Sequence, residues 1–140
     1  GLSWFTILKK RENFRKAFAD FDVKKVASFD ETKIEELVQN EGIIRHRGKI
    51  SAAINNAKLF IDIQKEFGSF SDFIWKYVDH KPIVNNWESI KDVPATTEIS
   101  DQIAKDLKKR GFKFFGSTTI YAHMQATGMV NDHTTDCFCK

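Results

Sequence analysis

The most informative part of the sequence is its last quarter, residues 109–140, which read KRGFKFFGSTTIYAHMQATGMVNDHTTDCFCK. Gly111 and Gly116 enclose four residues, and glycine most readily adopts positive φ and lets a backbone approach a ligand closely. Candidate N-caps of a following helix come next in the chain: Ser117, Thr118 and Thr119. The pattern therefore predicts two helices joined by a tight, glycine-bounded turn.

This turn also carries the chemistry of an anion site. The first amide groups of a helix have no intrahelical acceptor and attract negative charge. Four cationic residues lie close to the turn in the sequence: Lys108, Lys109, Arg110 and Lys113. The stretch therefore indicates a phosphate-binding site. The alternative is an ordinary connection between two helices, with solvated lysines.

Composition restricts the class of protein. The chain has 140 residues, 41% of them hydrophobic, which suits one globular domain. No apolar run approaches the roughly 18–20 residues of a membrane span. A net charge of +3 permits nucleic-acid binding without requiring it. A disulfide between two cysteines so close together near the C-terminus would stabilise little, so we expect a reducing cytoplasm. We also expect a monomer and no membrane association.

Apolar residues recur at a helical period through most of the chain, and no segment alternates as a strand would. We therefore predict an all-α fold, with a single helical domain over 1–140. Residues 80–95, with both prolines, read as an ordered loop. A helix-hairpin-helix unit is expected over about 100–127 and a His/Cys tail over 131–140.

The tail contains one candidate metal half-site. His133 and Cys137 are four residues apart, a spacing found in zinc sites. Cys139 is a possible third ligand, but no fourth lies nearby in the sequence. The alternative is a loose tail with one histidine and two free thiols.

Trp4 is the second candidate for a functional role. An indole beside glycine at a helix start can stack on a flat cationic base through cation–π attraction. The alternative is a core tryptophan. His123 alone is weak evidence for catalysis, and neither a nucleophile–base pair nor an HExxH motif is present.

Three collinear blocks carry a family resemblance: GLSWFTILKKRENFRKAF at 1–18, EGIIRHRGKI at 41–50 and LKKRGFKFFGSTTIYAHMQATGMVNDH at 107–133. With these blocks the whole chain resembles DNA-3-methyladenine glycosylase I, a bacterial family of the helix-hairpin-helix superfamily. The resemblance implies a helical bundle of the helix-hairpin-helix DNA glycosylase type. It also implies a monofunctional enzyme that flips 3-methyladenine from alkylated duplex DNA and hydrolyses its N-glycosidic bond. The product is an abasic site in an uncut strand.

The same resemblance implies roles for individual residues. Trp4 matches the tryptophan that stacks on the flipped base, and Gly1 and Leu2 match the segment at the gap left in the duplex. The glycine-bounded turn matches the family's hairpin, which binds the phosphates of the DNA backbone. Its matching residues are Gly111, Lys113 and Gly116, with the amides of Ser117, Thr118 and Thr119.

The family also carries a structural zinc ion, and His133 and Cys137 match two of its four ligands. The other two ligands, and a glutamate that recognises the flipped base, precede Gly1 in the family, within a segment of about forty residues. We therefore expect that the chain is truncated, and its catalytic residue stays unknown. Asp132 lies near the superfamily's catalytic aspartate, but its spacing is shorter and this family is described as lacking that residue.

A second function fits the same residues. A non-enzymatic module could use the hairpin and the basic clusters to bind duplex DNA without sequence preference and without releasing a base. A third possibility is a plain helical interaction domain. Release of free base from alkylated DNA separates the first function from the other two.

Overall fold

The computed structural model describes all 140 residues, and helices dominate its secondary structure. There are eight α-helices: α1 Trp4–Leu8, α2 Arg11–Ala17, α3 Val23–Ala27, α4 Glu31–Gln39, α5 Arg47–Phe67, α6 Phe70–Trp75, α7 Glu98–Lys109 and α8 Ser117–Ala126. Two short strands, β1 Ile83–Val84 and β2 Val130–Asn131, pair in parallel. The all-α prediction is confirmed. None of the helices combines the length and apolar character needed to cross a membrane.

Side-chain caps explain where several helices begin. Ser3 caps α1 by accepting a hydrogen bond from the Thr6 amide at 3.1 Å. Asp30 caps α4 by accepting from the Lys33 amide at 2.9 Å. Thr97 and Ser100 form a reciprocal capping box at the start of α7. Each cap gives a partner to a helix amide that would otherwise lack one.

The chain divides into two compact units. The first contains Gly1–Asp62 with Phe112–Phe114, and the second contains Ile63–Gly111 with Phe115–Lys140. The core of the first unit is built from α2 to α5 and the loops between them. Its buried residues are Ala17, Phe18, Val26, Ile34, Leu37, Ile43, Ile50, Ile54 and Ala57.

The second unit has its own buried set on α6, α7 and α8. Ile103 and Leu107 lie one turn apart on α7, and Ile120 and Met124 lie one turn apart on α8. All four side chains are almost completely buried. This spacing places one apolar stripe on each of the two helices that flank the turn. Burial of these stripes holds both helices in the core of the second unit.

A charged and aromatic cluster covers the end of α7. Tyr77 donates a hydrogen bond of 2.6 Å to Asp106. Arg110 makes two hydrogen bonds to Glu66, at 2.8 and 3.0 Å. The guanidinium group of Arg110 also lies 5.2 Å from the ring centre of Phe67. These contacts hold the residues that lead into the turn.

We predict that Tyr77→Phe lowers the free energy of unfolding by about 1 kcal/mol at pH 7. The hydrogen bond from Tyr77 holds the pKa of Asp106 below its ordinary value. Ionised Asp106 therefore stabilises the fold above about pH 4, and this contribution is lost as the pH falls through the lowered pKa. Urea unfolding of both proteins at pH 7 and near pH 3 checks the prediction, because the difference should shrink in acid.

The matched control is the same substitution in an Asp106→Asn background. There the effect of Tyr77→Phe should not depend on pH in this range. An equal loss of stability at both pH values in the native background would contradict the role of the carboxylate.

Candidate functional site

Trp4 lies at the start of α1 with its side chain open to solvent. Its exposed fraction is 86%, and the neighbouring Leu2 is also exposed. The Ser3 cap fixes the backbone just before Trp4. The core-tryptophan interpretation is therefore wrong, and the indole presents an accessible face in the first unit.

The turn between α7 and α8 differs from the sequence expectation in its backbone. Gly111 has φ +98°, as predicted. Gly116 does not have positive φ: it is the extended N-cap of α8, with φ −81° and ψ 166°. Phe114 instead adopts the left-handed region, at φ 61°. A Cβ at Gly116 would meet no protein atom within 4 Å, so open space lies beside this residue.

None of the three predicted cap residues of α8 acts as a cap. They lie inside the helix, and the true N-cap, Gly116, has no side chain to supply a hydrogen bond. The first helical hydrogen bond runs from the Ile120 amide to the Gly116 carbonyl oxygen at 3.0 Å. The amides before Ile120 thus lack helical acceptors, and they belong to Ser117, Thr118 and Thr119. This is the geometry of an anion site at a helix N-terminus.

Side-chain hydrogen bonds fix the first turn of α8. Ser117 donates to Asp101 at 2.6 Å. The hydroxyl oxygens of Ser117 and Ser100 lie 2.8 Å apart, and Ser100 is fully buried in α7. The Ser117 hydroxyl is therefore engaged within the protein, and its amide is the group left for an anion. Sequence reasoning did not find the contacts that Ser100 and Asp101 make with Ser117, although the Thr97–Ser100 spacing marks a helix start.

The cations of the predicted phosphate site are not equivalent. Arg110 is engaged by Glu66, and this hydrogen-bonded pair raises the pKa of the guanidinium group. Arg110 therefore does not provide a free charge, contrary to the sequence-based prediction. Lys108, Lys109 and Lys113 remain exposed.

The tail brings the predicted metal ligands together. The Sγ atom of Cys137 lies 3.7 Å from Nδ1 of His133. Two such ligands on one tetrahedral zinc ion would be separated by roughly 3.5 Å, so the pair fits two coordination positions. No group of three or more His, Cys, Asp or Glu side chains has a metal-holding arrangement. Desolvation, followed by the nearby Cys137 thiol, raises the pKa of the Cys139 thiol.

A cleft of about 310 Å³ lies beside this pair in the second unit. Its polar lining comes from Gln125, Asp132, His133, Thr134 and Cys137. The apolar part of the lining comes from the 90–93 segment and β2. The cleft thus combines an apolar wall with the two candidate metal ligands.

Asp132 is the most heavily hydrogen-bonded side chain near this cleft. One carboxylate oxygen accepts from Asn85 and from the indole N–H of Trp87, both at 2.8 Å. The other accepts from the Tyr121 hydroxyl and, at 3.0 Å, from Gln125. Sequence reasoning assigned residues 80–95 to an ordered loop but did not identify the partner of Trp87.

These contacts decide the chemistry of Asp132. Burial disfavours its ionised form, but the hydrogen bonds from Tyr121, Asn85 and Trp87 outweigh burial and hold its pKa below the ordinary value. Burial and the bond to Asp132 also raise the pKa of Tyr121. A carboxylate held by four donors is a structural acceptor and a poor candidate for a general base.

Comparison with solved structures places this fold among the DNA glycosylases. A variant of 3-methyladenine DNA glycosylase I in complex with 3-methyladenine superposes with a TM-score of 0.94 at 40% identity. The match covers 100% of this chain and 75% of that one. The four-donor carboxylate, the half-site and the α8 start without a side-chain cap therefore lie on a glycosylase scaffold.

The chain belongs to the methyladenine glycosylase family, whose model matches residues 1–140. It is 52% identical over 140 residues to the DNA-3-methyladenine glycosylase of Haemophilus influenzae, covering 100% of this chain and 76% of that protein. It is 50% identical over 139 residues to DNA-3-methyladenine glycosylase 1 of Escherichia coli, covering 99% and 74% respectively. The predicted family is confirmed.

We predict that Asp132→Asn destabilises the protein by about 2–3 kcal/mol at pH 7, because an amide nitrogen would face two donors. Thermal unfolding measures the loss. Asp136→Asn, at an exposed position of the same tail, is the matched control and should change stability by less than about 0.5 kcal/mol. Equal effects of the two substitutions would contradict the structural role of Asp132.

Proposed function

We propose that this chain acts in DNA base-excision repair as a monofunctional N-glycosylase. It releases 3-methyladenine from alkylated duplex DNA by hydrolysis and leaves an abasic site. The observation that carries the proposal is the full-length match to the methyladenine glycosylase family. The complex of a relative with 3-methyladenine supports the choice of base.

The chemistry of the substrate reduces the demand on the protein. Methylation at N3 gives the base a positive charge and makes it a good leaving group. The protein's main task is then to extrude the damaged base and hold it out of the duplex. Trp4 is suited to this task, because a cationic base is attracted to the face of an exposed indole.

The proposed DNA contacts come from the start of the chain and from the turn before α8. Gly1 and Leu2 are exposed beside Trp4 and are assigned to the gap left by the flipped nucleotide. Lys113 and the first amides of α8 are assigned to backbone phosphates, together with the glycines of the turn. Such contacts neutralise phosphate charge without reading sequence.

No side chain of this chain is assigned as a catalytic acid or base. Asp132 has its oxygens engaged by four donors. Burial lowers the pKa of His123, which favours its neutral form, but His123 has no partner that marks it for catalysis. The expected contribution of this chain is base stacking and DNA positioning.

Trp4→Ala should reduce the rate of 3-methyladenine release roughly tenfold to a hundredfold, the range expected for loss of one base–aromatic stack. Affinity for undamaged duplex should change little. Single-turnover release, followed by chromatography of the free base, measures the first quantity. Phe5→Ala, at the next exposed position of α1, is the control and should leave release unchanged. Equal loss of release and affinity in Trp4→Ala would point to packing instead.

Gly116→Val should weaken binding to damaged and undamaged duplexes alike, by about tenfold or more. The added Cβ meets no protein atom, so it would occupy space that a phosphate needs at the α8 amides. Helix-cap preference alone should cost only about 1 kcal/mol of stability. Fluorescence anisotropy with labelled duplexes measures affinity, and thermal unfolding is the control. Unchanged affinity would remove Gly116 from the DNA contact.

We also propose that His133 and Cys137 supply two ligands of a structural zinc ion. Their 3.7 Å separation supports this assignment. A bound ion would cross-link the tail by coordinating these side chains. Nothing in the proposed release of the base proceeds through the metal.

Zinc affinity, measured by competition with a chromophoric chelator, should fall in His133→Ala and in Cys137→Ser. His80→Ala, at an exposed histidine elsewhere in the second unit, should leave the affinity unchanged. Cys139→Ser decides whether the second thiol is a third ligand. Wild-type affinity in both His133→Ala and Cys137→Ser would rule out the half-site.

A further inference from the structure

The turn before α8 is held by a side chain far away in the sequence. Asn56, on α5, donates from Nδ2 to the Lys113 carbonyl oxygen at 2.9 Å. Its Oδ1 accepts from the Lys113 amide at 3.0 Å. One planar amide therefore satisfies both backbone groups of one turn residue. The two residues belong to the same unit.

This arrangement gives the backbone of Lys113 the partners that regular secondary structure would otherwise supply. Lys113 lies in neither a helix nor a strand, so its amide and carbonyl need partners outside regular secondary structure. Lys113 is followed by Phe114, whose φ of 61° is unfavourable for a residue with a side chain. A local conformation of this kind persists only where surrounding contacts determine it, and Asn56 provides two of them.

Further contacts from the same unit hold the tip of the turn. The ring of Phe114 meets the His46 ring edge-on, with centroids 6.1 Å apart. The Lys49 ammonium lies 5.7 Å from the centre of the Phe114 ring. The tip is thus attached to α5 and the residues just before it, whereas the ammonium of Lys113 stays exposed.

We propose that Asn56 is a positioning residue for DNA binding, a role that rests on the proposed function. Both ends of its amide bind the backbone of Lys113, so it acts on DNA through the placement of that lysine. With Asn56 in place, the Lys113 ammonium is presented on a turn of fixed conformation. Without it, the turn becomes an ensemble, and only a fraction of molecules present the charge correctly.

The test measures the affinity of the chain for an undamaged duplex over a range of salt concentrations. Asn56→Ala should bind about tenfold more weakly than wild type. Lys113→Ala should also weaken binding and reduce the slope of log affinity against log salt by about one unit. Because both changes act on one contact, the double variant should lose much less than the product of the two single effects.

The matched control is Asn13→Ala. Asn13 also lies in the first unit and donates to a backbone carbonyl, that of Gly42, at 3.0 Å. Asn13→Ala should lower the thermal stability about as much as Asn56→Ala does, but it should leave duplex affinity unchanged. Should Asn56→Ala fail to fold, Asn56→Asp takes its place, because it keeps the acceptor and sets an oxygen against the Lys113 carbonyl.

The outcomes are distinguishable. The positioning role is supported if the Asn56 variant binds more weakly, the Asn13 variant does not, and the effects of Asn56→Ala and Lys113→Ala are not additive. Wild-type affinity in the Asn56 variant, equal loss in the Asn13 variant, or fully additive effects overturn it. If wild type itself does not bind duplex DNA, the proposed function fails rather than the role of Asn56.

Discussion

The hydrogen bonding of Asp132 is the constraint on which the tail of the second unit depends. A partly buried carboxylate is costly unless donors surround it, and here four donors come from two different segments. Asn85 and Trp87 bring the proline-containing loop, and Tyr121 and Gln125 bring α8. Because His133 follows Asp132 directly, the same carboxylate also fixes the start of the segment that ends at Cys137. Asp132, although it lies near the position of the superfamily's catalytic aspartate, therefore has a structural role.

The proposed phosphate site depends instead on backbone amides at the start of α8 that have no acceptor within the helix. Gly116 caps α8 with no side chain, so the amides of the first turn stay available. The Ser117 hydroxyl is already engaged by Asp101, which keeps that turn in place. Asn56 does the same for the backbone of the turn. Rigid backbone groups lose little freedom on binding, which favours contact with a regular phosphate backbone.

Local signals in the sequence were enough for the helical class and for the proximity of His133 to Cys137, because these depend on periodicity and short spacing. The family was predicted from the resemblance of three long sequence blocks. The predictions that were wrong concern features that depend on contacts between residues distant in the sequence. Arg110 reads as a phosphate ligand until Glu66 is seen to engage it. Positive φ was expected at Gly116, but Phe114 adopts it. The partners of Asn56 and Asp132 lie up to 57 residues away, beyond the reach of sequence patterns.

The most direct test of the central claim uses alkylated duplex DNA with one labelled strand. The chain is incubated with this DNA, free bases are separated by chromatography, and strand length is measured before and after alkali. We expect free 3-methyladenine and a strand that stays intact until alkali breaks it at the abasic site. Duplex binding without any released base, or strand cleavage without alkali, would contradict a monofunctional glycosylase in this chain.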